Sequence, residues 1–392
     1  MKLLHLCSDY PFTNVYRELM SVIDKNGNVD QTIYIPVKRD TDKGKRIDET
    51  MKHAEFVYSK AFNDLDRLFY HRKIDKLLRD VQSTTDVSAF DMIHAHFLFS
   101  LGGVAFRLRQ ALGIPYVVSI RNVDVNVFFR YGIWLRDYAT EIIRNAKHVI
   151  FLSPSYKVRV LEKYIPRDLW SDVEGKCLIL PNGINEFWIQ NLHLAAKTMR
   201  KKQIRLIYAG ELKKNKNIRT SVKVSEKLSG RGYHVTLDIA GRGPEEREIA
   251  RLSAKSNGRV RFHGFVDDRR ELMKLYGESD IFIMPSRTET FGVAYVEAMS
   301  QGLPIIYSRH EGFDGFYEQG EVGYAVNPMD VEEIVERIED ICAKYEQVSD
   351  RCLSEAAKFS WERIGACYIR HLLRPPGAAS AEATEKWRRD TL

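Results

Sequence analysis

Short apolar runs alternate with longer amphipathic stretches along almost the whole chain. The first half offers "LLHLCS", "QTIYIPV", "DMIHAH", "PYVVSI", "HVIFLS" and "CLILPNG". After a basic break come "IRLIYAG", "HVTLDIAG", "VRFHGFV", "SDIFIMPS", "LPIIYS" and "VGYAV". Most are continuous apolar runs, not strict alternations of apolar and polar. Strands covered on both faces read this way, which predicts parallel sheet flanked by helices. Strand–helix alternation over such a length predicts a doubly wound α/β architecture.

The runs fall into two sets of about six, separated by the weakly patterned "INEFWIQNLHLAAKTMRKKQ" (residues 184–203). A chain of 392 residues exceeds one ordinary core, so two sheet domains are expected. Their expected limits are residues 1–185 and 186–358. Residues 359–374, around "KFSWERIGACYIRHLL", read as a final helix, ended by Pro375 and Pro376; residues 375–392 read as a loose tail. Open parallel sheets bind ligands outside the carboxyl ends of their strands. Two such domains facing across a cleft would place function in the loops that follow strands.

Composition narrows this only a little. The apolar share of 44% is ordinary for a globular protein. No run approaches the ~20 apolar residues that cross a bilayer. The start, "MKLLHLCSDYPF", lacks the apolar core and cleavage site of a signal peptide, and reads as a first strand entering a loop. The five cysteines, Cys7, Cys177, Cys342, Cys352 and Cys367, are odd in number and hold no C-x-x-C pair. That argues against a disulfide framework or zinc site and fits a reducing cytosol. A net charge of +7 permits an anionic partner and chooses none. The basic stretch "MRKKQIRLIYAGELKKNKNIRT" (residues 199–220) reads as a solvated linker and helix face.

Candidate chemistry concentrates in "SRTETFGVAYVEAMSQGLPIIYS" (residues 286–308). "SDIFIMPS" is a strand, "RTET" its loop, and "FGVAYVEAMSQG" a helix closed by Gly302. Val293, Val296 and Met299 recur at helical spacing and should face the core. Glu297, beside Val296, then sits near the buried flank, where a carboxylate needs donors or a cation. A ribose diol offers two hydroxyl donors. Glu289 precedes the helix, where the free amides of Thr290 to Val293 suit phosphate oxygens. Beside a diphosphate, Glu289 is better aimed at the neutral hydroxyls of an attached sugar. Equally, Glu289 can be a first-turn acid helped by the helix dipole and Glu297 a solvated residue.

The two glutamates resemble the E-x7-E signature of retaining nucleotide-sugar glycosyltransferases, specifically family 4 with its GT-B fold. "DMIHAHFLF", "PYVVSIRNVDVN", "ILPNGIN", "YAGELKKNKN", "LDIAGRGPEE", "VRFHGFV" and "KFSWERIGACYI" also fall in that family's order. The resemblance implies an α/β fold of two Rossmann-like domains, the second holding the donor and the first most of the acceptor. It implies that the last helix crosses back to the first domain. It sets Glu297 on the nucleotide ribose, Glu289 on the donor sugar and Lys216 on the diphosphate, where a cation would stabilise the leaving charge. Thr290, Phe291, Gly292 and Val293 would offer backbone groups to the diphosphate or sugar, and Gly264 and Phe265 would surround the base. Gly210 falls on the donor side. No metal or cofactor is implied, and the donor is a nucleotide diphosphate sugar, with uridine favoured. The acceptor would be a glycan or lipid-linked glycan, the setting cytoplasmic, and nucleic acid no partner.

Three positions depart from the family's pattern. The first loop, "SDYPFTNVYRE", has no glycine pair, and Asn14 is its nearest small polar residue. Glu211 follows Gly210 where many members carry arginine, so Lys213, Lys214 or Arg219 would have to supply the charge. Arg121 stands where many have histidine. Arginine can hold an anionic group by a forked bond, or pair with Asp124.

Other features stay open on the residues alone. His94 and His96 share one side of a strand, and His96 is read as a hydrogen-bonding residue of the cleft in preference to a zinc ligand. "DLD" (residues 64–66) reads as solvated acids. "NVFFRYGIWLRDY" (residues 126–138) suits a helix packing its aromatics, or a peripheral membrane surface for a lipid-linked acceptor. A nucleotide-sugar epimerase and a non-catalytic sugar-nucleotide-binding subunit remain as other functions.

Overall fold

The computed structural model describes residues 1–67 and 69–373. They divide into two units. The first comprises Met1–Leu152, Tyr156–Gly183 and, from Trp361, the last described helix. The second comprises Ser153–Ser155 and Ile184–Ser360. The tail expected over residues 375–392 lies outside the described residues.

The first unit holds seven strands: β1 (Lys2–Leu6), β2 (Asp30–Pro36), β3 (Ala54–Ser59), β4 (Met92–Ala95), β5 (Tyr116–Ile120), β6 (His148–Phe151) and β7 (Cys177–Ile179). They pair in the order β3-β2-β1-β4-β5-β6-β7, all parallel. β3 is one strand more than the apolar pattern predicts. It lies at an edge and none of its residues is fully buried, so no continuous apolar run marks it. Interior β5, by contrast, is buried at every position. The helix Trp361–Leu373 belongs to this unit. Its Trp361, Ile364, Tyr368 and Leu372 pack with Leu3, Met92, Val117 and Ile150 into one apolar cluster. Gly365 lets the helix approach Val22, since a Cβ there would strike that side chain.

The second unit holds β8 (Gln203–Ala209), β9 (His234–Ala240), β10 (Val260–Gly264), β11 (Ile281–Ile283), β12 (Ile305–Ser308) and β13 (Gly323–Val326). Their order is β10-β9-β8-β11-β12-β13, again all parallel. In each sheet the chain reverses its direction of growth beside the first strand, between β1 and β4 and between β8 and β11. Loops at such a reversal splay apart and leave a crevice at the carboxyl ends.

The weakly patterned stretch at residues 184–203 is buried in part. Trp188 is buried, and so is Lys197, whose Nζ donates to the carbonyls of Tyr276 (3.0 Å), Gly277 (2.9 Å) and Ser279. These carbonyls belong to the end of the helix Arg269–Glu278 and its exit, where one ammonium gathers them beside the Ser279 amide that also bonds Tyr276 O. Burial brings the Lys197 pKa down to about 8.

Candidate functional site

In the second unit the loops after β8, β9 and β10 open onto one cavity of about 750 Å³. Gly210 and Glu211 line it from the first loop, Gly241 to Gly243 from the second, and Phe265 from the third; Glu297 and Tyr276 close it. The second loop needs its glycines. Gly241 and Gly243 sit at φ +155° and +154°, and a Cβ on them would run into the carbonyl oxygens of Gly210 and Leu212. Gly264, at φ +68°, turns the chain so that Phe265 stands 51% exposed beside the cavity. Arg242 lies over its ring at 4.2 Å. This arginine went unpredicted. Of the cations proposed to make good the Glu211 departure, Lys213 pairs with Glu211 at 2.5 Å and Arg219 with Glu248, and Lys214 does not line the cavity. Arg242 is the cation that lines the cavity.

The helix after β11 is short, Val293–Met299. It starts at Gly292, φ +84°, where a Cβ would strike the ring of Tyr295. Val296 and Met299 are buried as expected, but Val293 is only half-buried. Tyr295 fills the core in its place and donates from its hydroxyl to the carbonyl of Met284 at 2.6 Å. Phe291 also points inward, against Phe313, Phe316 and Phe359, so only its backbone is open to a ligand role.

Glu297 is half-buried and faces the cavity. Burial pushes its pKa up to about 7, against the opposing pull of the Trp188 indole and the Arg269 charge. The indole N–H makes no hydrogen bond of ordinary geometry, and neither does the buried hydroxyl of Tyr276, whose ring lies 5.5 Å from that of Trp188. A carboxylate short of donors beside a cavity is what a vicinal diol satisfies.

Glu289 is buried, and a lysine ammonium faces it. Lys216 Nζ donates to Glu289 Oε2 at 2.5 Å. The loop carrying Lys216 is laced to the loop carrying Glu289. Arg287 N donates to Asn215 O at 2.6 Å, and Asn217, in the left-handed region at φ 57°, donates from Nδ2 to Pro285 O at 3.1 Å. Of the amides expected to be free, that of Thr290 is taken by Glu289 Oε1 at 2.9 Å. The next three, Phe291 to Val293, precede any i→i−4 partner. Glu311 was missed altogether. Its Oε2 accepts from Glu289 N at 2.9 Å, while Gly312 N donates to Glu289 O at 3.1 Å. No motif around "RHEGFDGF" pointed there.

In the first unit, His5 and His94 are register partners on β1 and β4, and His96 follows two residues on, so three imidazoles meet on one face. All are buried, which holds His5 down to about 4 and His94 and His96 well below the usual imidazole range. His96, read as a hydrogen-bonding residue of the cleft, is fully covered and hydrogen-bonded to His5. Ring nitrogens from all three lie within 4.8 Å of one another, and a metal could draw them together. Hydrogen bonds already engage five of the six: His5 with His96 (3.0 Å) and Gln31 (3.1 Å), His94 with Ser119 (2.8 Å) and Tyr368 (2.6 Å). Only His96 Nδ1 has no partner.

Arg121 is buried beside this group, over the ring of Tyr16 at 5.3 Å. The pairing of its guanidinium with Asp124 does not occur. Asp124 instead accepts the backbone amides of Arg121 (2.9 Å), Phe99 (3.0 Å) and Leu98 (3.3 Å), stapling two loops, and burial raises its pKa to about 6. The guanidinium reaches Asn182 at 3.4 Å, and its Nε has no acceptor. Asn14 is exposed and bonded to Arg46, so its side chain is already occupied. The acids of "DLD" differ from each other: Asp64 is exposed, whereas Asp66 is buried against Lys76 at 2.6 Å.

The aromatic segment splits between the two roles considered for it. Val125, Phe129 and Leu135 are buried, while Tyr131, Ile133 and Trp134 stand 62%, 64% and 78% exposed. No described helix is long and apolar enough to cross a membrane.

Residues 31–186 match the family model described as Glycosyltransferase Family 4, and residues 190–358 the one described as Glycosyl transferases group 1. A GDP-mannose-dependent alpha-(1-6)-phosphatidylinositol dimannoside mannosyltransferase of Mycobacterium tuberculosis is 30% identical over 172 residues. That alignment covers 43% of this chain and 44% of the relative, so the chain spans less than half the length of that protein. Among solved structures, the sucrose-phosphate synthase of Thermosynechococcus elongatus superposes with a TM-score of 0.71 at 18% identity, covering 94% of this chain and 98% of that one. Anabaena HepE in complex with UDP does so with a TM-score of 0.69 at 16% identity, over 95% and 99%. These two likenesses are of fold.

Proposed function

We propose, since the chain belongs to the family 4-like glycosyltransferases of GT-B fold, that it moves a hexose from a nucleotide diphosphate sugar to an acceptor hydroxyl. The observation that carries this reading is the cavity at the carboxyl ends of β8–β10, walled by glycine loops and closed by the donor-starved Glu297. Glu297 holds the ribose diol, and Phe265 with Arg242 stacks on the base. Lys216 meets the diphosphate, the amides of Phe291, Gly292 and Val293 contact diphosphate or sugar, and Glu289 turns to the sugar hydroxyls. Uridine is favoured as the base; the solved UDP complex of HepE, a protein of the same fold, supports it.

Configuration at the transferred carbon is retained. The diphosphate leaves and assists the incoming hydroxyl from the same face, so no side chain has to act as a nucleophile. The protein contributes positioning and fixed positive charge where negative charge grows. No metal is assigned a part in this step. The acceptor is a glycan or lipid-linked glycan of the cell surface, met at the cytoplasmic membrane face. The exposed Tyr131, Ile133 and Trp134 support that peripheral contact.

Donor turnover tests the assignment. Transfer of label from a nucleotide sugar to an added glycan acceptor is the expected result. Release of an epimerised sugar with no acceptor, or saturable binding with no turnover, would replace it with an epimerase or a binding subunit.

A further inference from the structure

The buried histidines carry information beyond their number, because one backbone carbonyl sets the direction of their hydrogen bonds. Gln31 is buried, and its amide nitrogen donates to Met20 O at 3.0 Å. A backbone carbonyl can only accept, so the Gln31 amide has one orientation, with Oε1 as an acceptor. His5 Nε2, 3.1 Å from that oxygen, must then carry a proton. Burial keeps His5 neutral, so its Nδ1 is bare and accepts. His96 Nε2, 3.0 Å away, must donate to it. His96 is neutral for the same reason, which leaves its Nδ1 as a lone pair with no partner in a fully buried position.

A second orphan belongs to a side chain that packs on the same tyrosine. Arg121 Nε is a buried donor with no acceptor. The two groups flank one ring: His96 meets Tyr16 edge-on at 5.1 Å and Arg121 lies over it at 5.3 Å. Leaving a buried donor and a buried acceptor both unmade is costly, and a hydroxyl is the small group that supplies a proton to one and a lone pair to the other.

We propose that Gln31 and His5 form a positioning relay that locks His96 in its Nε2–H tautomer, so that His96 Nδ1 and Arg121 Nε together receive a single hydroxyl group. That the hydroxyl comes from a carbohydrate rests on the sugar-transfer reading; the tautomer lock does not. The alternative source is one enclosed water.

The test uses the full chain with 15N-labelled histidine, and two-bond 1H–15N spectra at neutral pH, with His96→Gln assigning the signals. The relay predicts a bare Nδ1 and a protonated Nε2 on His96. His5→Asn, which keeps an amide oxygen where Nδ1 was, preserves that state; His5→Leu yields both tautomers. Adding D-glucose separates the sources. A shift of the Nδ1 signal assigns the hydroxyl to carbohydrate, and an unshifted Nδ1 counts against a carbohydrate hydroxyl there. A protonated Nδ1 in the unsubstituted protein, or a tautomer unchanged in His5→Leu, overturns the proposal. These spectra need no turnover, so they fail or pass independently of the assigned activity. Where transfer is measured, His5→Leu lowers kcat about tenfold with the donor KM held, while His5→Asn stays within about twofold. Equal losses in the two variants would make His5 merely structural and count against the relay.

Discussion

Lys216 Nζ and Glu289 Oε2 stand 2.5 Å apart, joined across 73 residues of sequence by two interlaced loops. Both side chains are largely withdrawn from water, so each neutralises the other in the unliganded protein. A donor diphosphate would take over the ammonium and free the carboxylate for hydroxyls.

Removing one member should therefore cost both stability and activity, but for different reasons. Lys216→Met leaves a buried carboxylate without its counter-charge, worth about 3 kcal/mol of unfolding free energy. The double variant Lys216→Met/Glu289→Gln should recover most of that loss in chemical denaturation while transfer stays depressed. Recovery of transfer in the double variant would remove both residues from the reaction.

Glu297 gives a pH signature with a definite sign. Its pKa is about 7 in the folded protein, above the 4.5 of a free glutamate. Between those values the native state binds the proton and the unfolded state does not, so this group makes stability fall as pH rises from about 4.5 to about 7. Glu297→Gln should flatten that part of the profile. Ribose hydroxyls stabilise the ionised form, so nucleotide should bind more tightly as pH rises through 7 and release protons on binding near pH 6.5. Calorimetry in two buffers of different ionisation enthalpy reads the release directly.

Phe265 and Arg242 define the outer wall of the cavity. Phe265→Ala removes a stacking surface and Arg242→Ala a cation, each worth about 1 kcal/mol, or roughly fivefold in nucleotide affinity. The loss should be the same for a nucleoside diphosphate as for its sugar conjugate, because neither residue is assigned to the sugar. Fluorescence competition with the two ligands separates those cases.

The exposed Tyr131, Ile133 and Trp134 predict flotation with anionic liposomes at low salt. Ile133→Ser/Trp134→Ser should abolish it without changing the melting temperature, since neither side chain contributes to the core. Sedimentation of the unsubstituted protein apart from lipid would end the membrane assignment.

Much of this architecture was legible in the sequence because parallel strands covered on both faces write themselves as apolar runs. β5, β11 and β12 are buried at every position and were read directly. β3 was not, because an edge strand with half-buried side chains carries no such run. Spacing placed Glu297 on the flank of its helix, but the partners of Glu289 could not be read, since Lys216 and Glu311 reach it only through loop closure. His5 lay outside any motif and joins His96 only through the register of β1 on β4. Arg242 was hidden because its segment, "LDIAGRGPEE", was read only as one of several in the family's order. Lys197 stands in a stretch without apolar pattern, and nothing in the sequence shows the helix end whose carbonyls its ammonium meets.

The central claim is that the second unit grips a nucleotide diphosphate sugar through Glu297. Thermal melting against UDP, GDP, UDP-glucose and GDP-mannose, on the natural protein and on Glu297→Ala, tests it most directly. A ligand at about 100 times its Kd adds about 2.7 kcal/mol to folding, enough to raise the melting temperature measurably. The account predicts such a rise with at least one of these nucleotides and its loss in the variant. An equal rise in both proteins would contradict it, and so would no rise with any of the four at millimolar concentration.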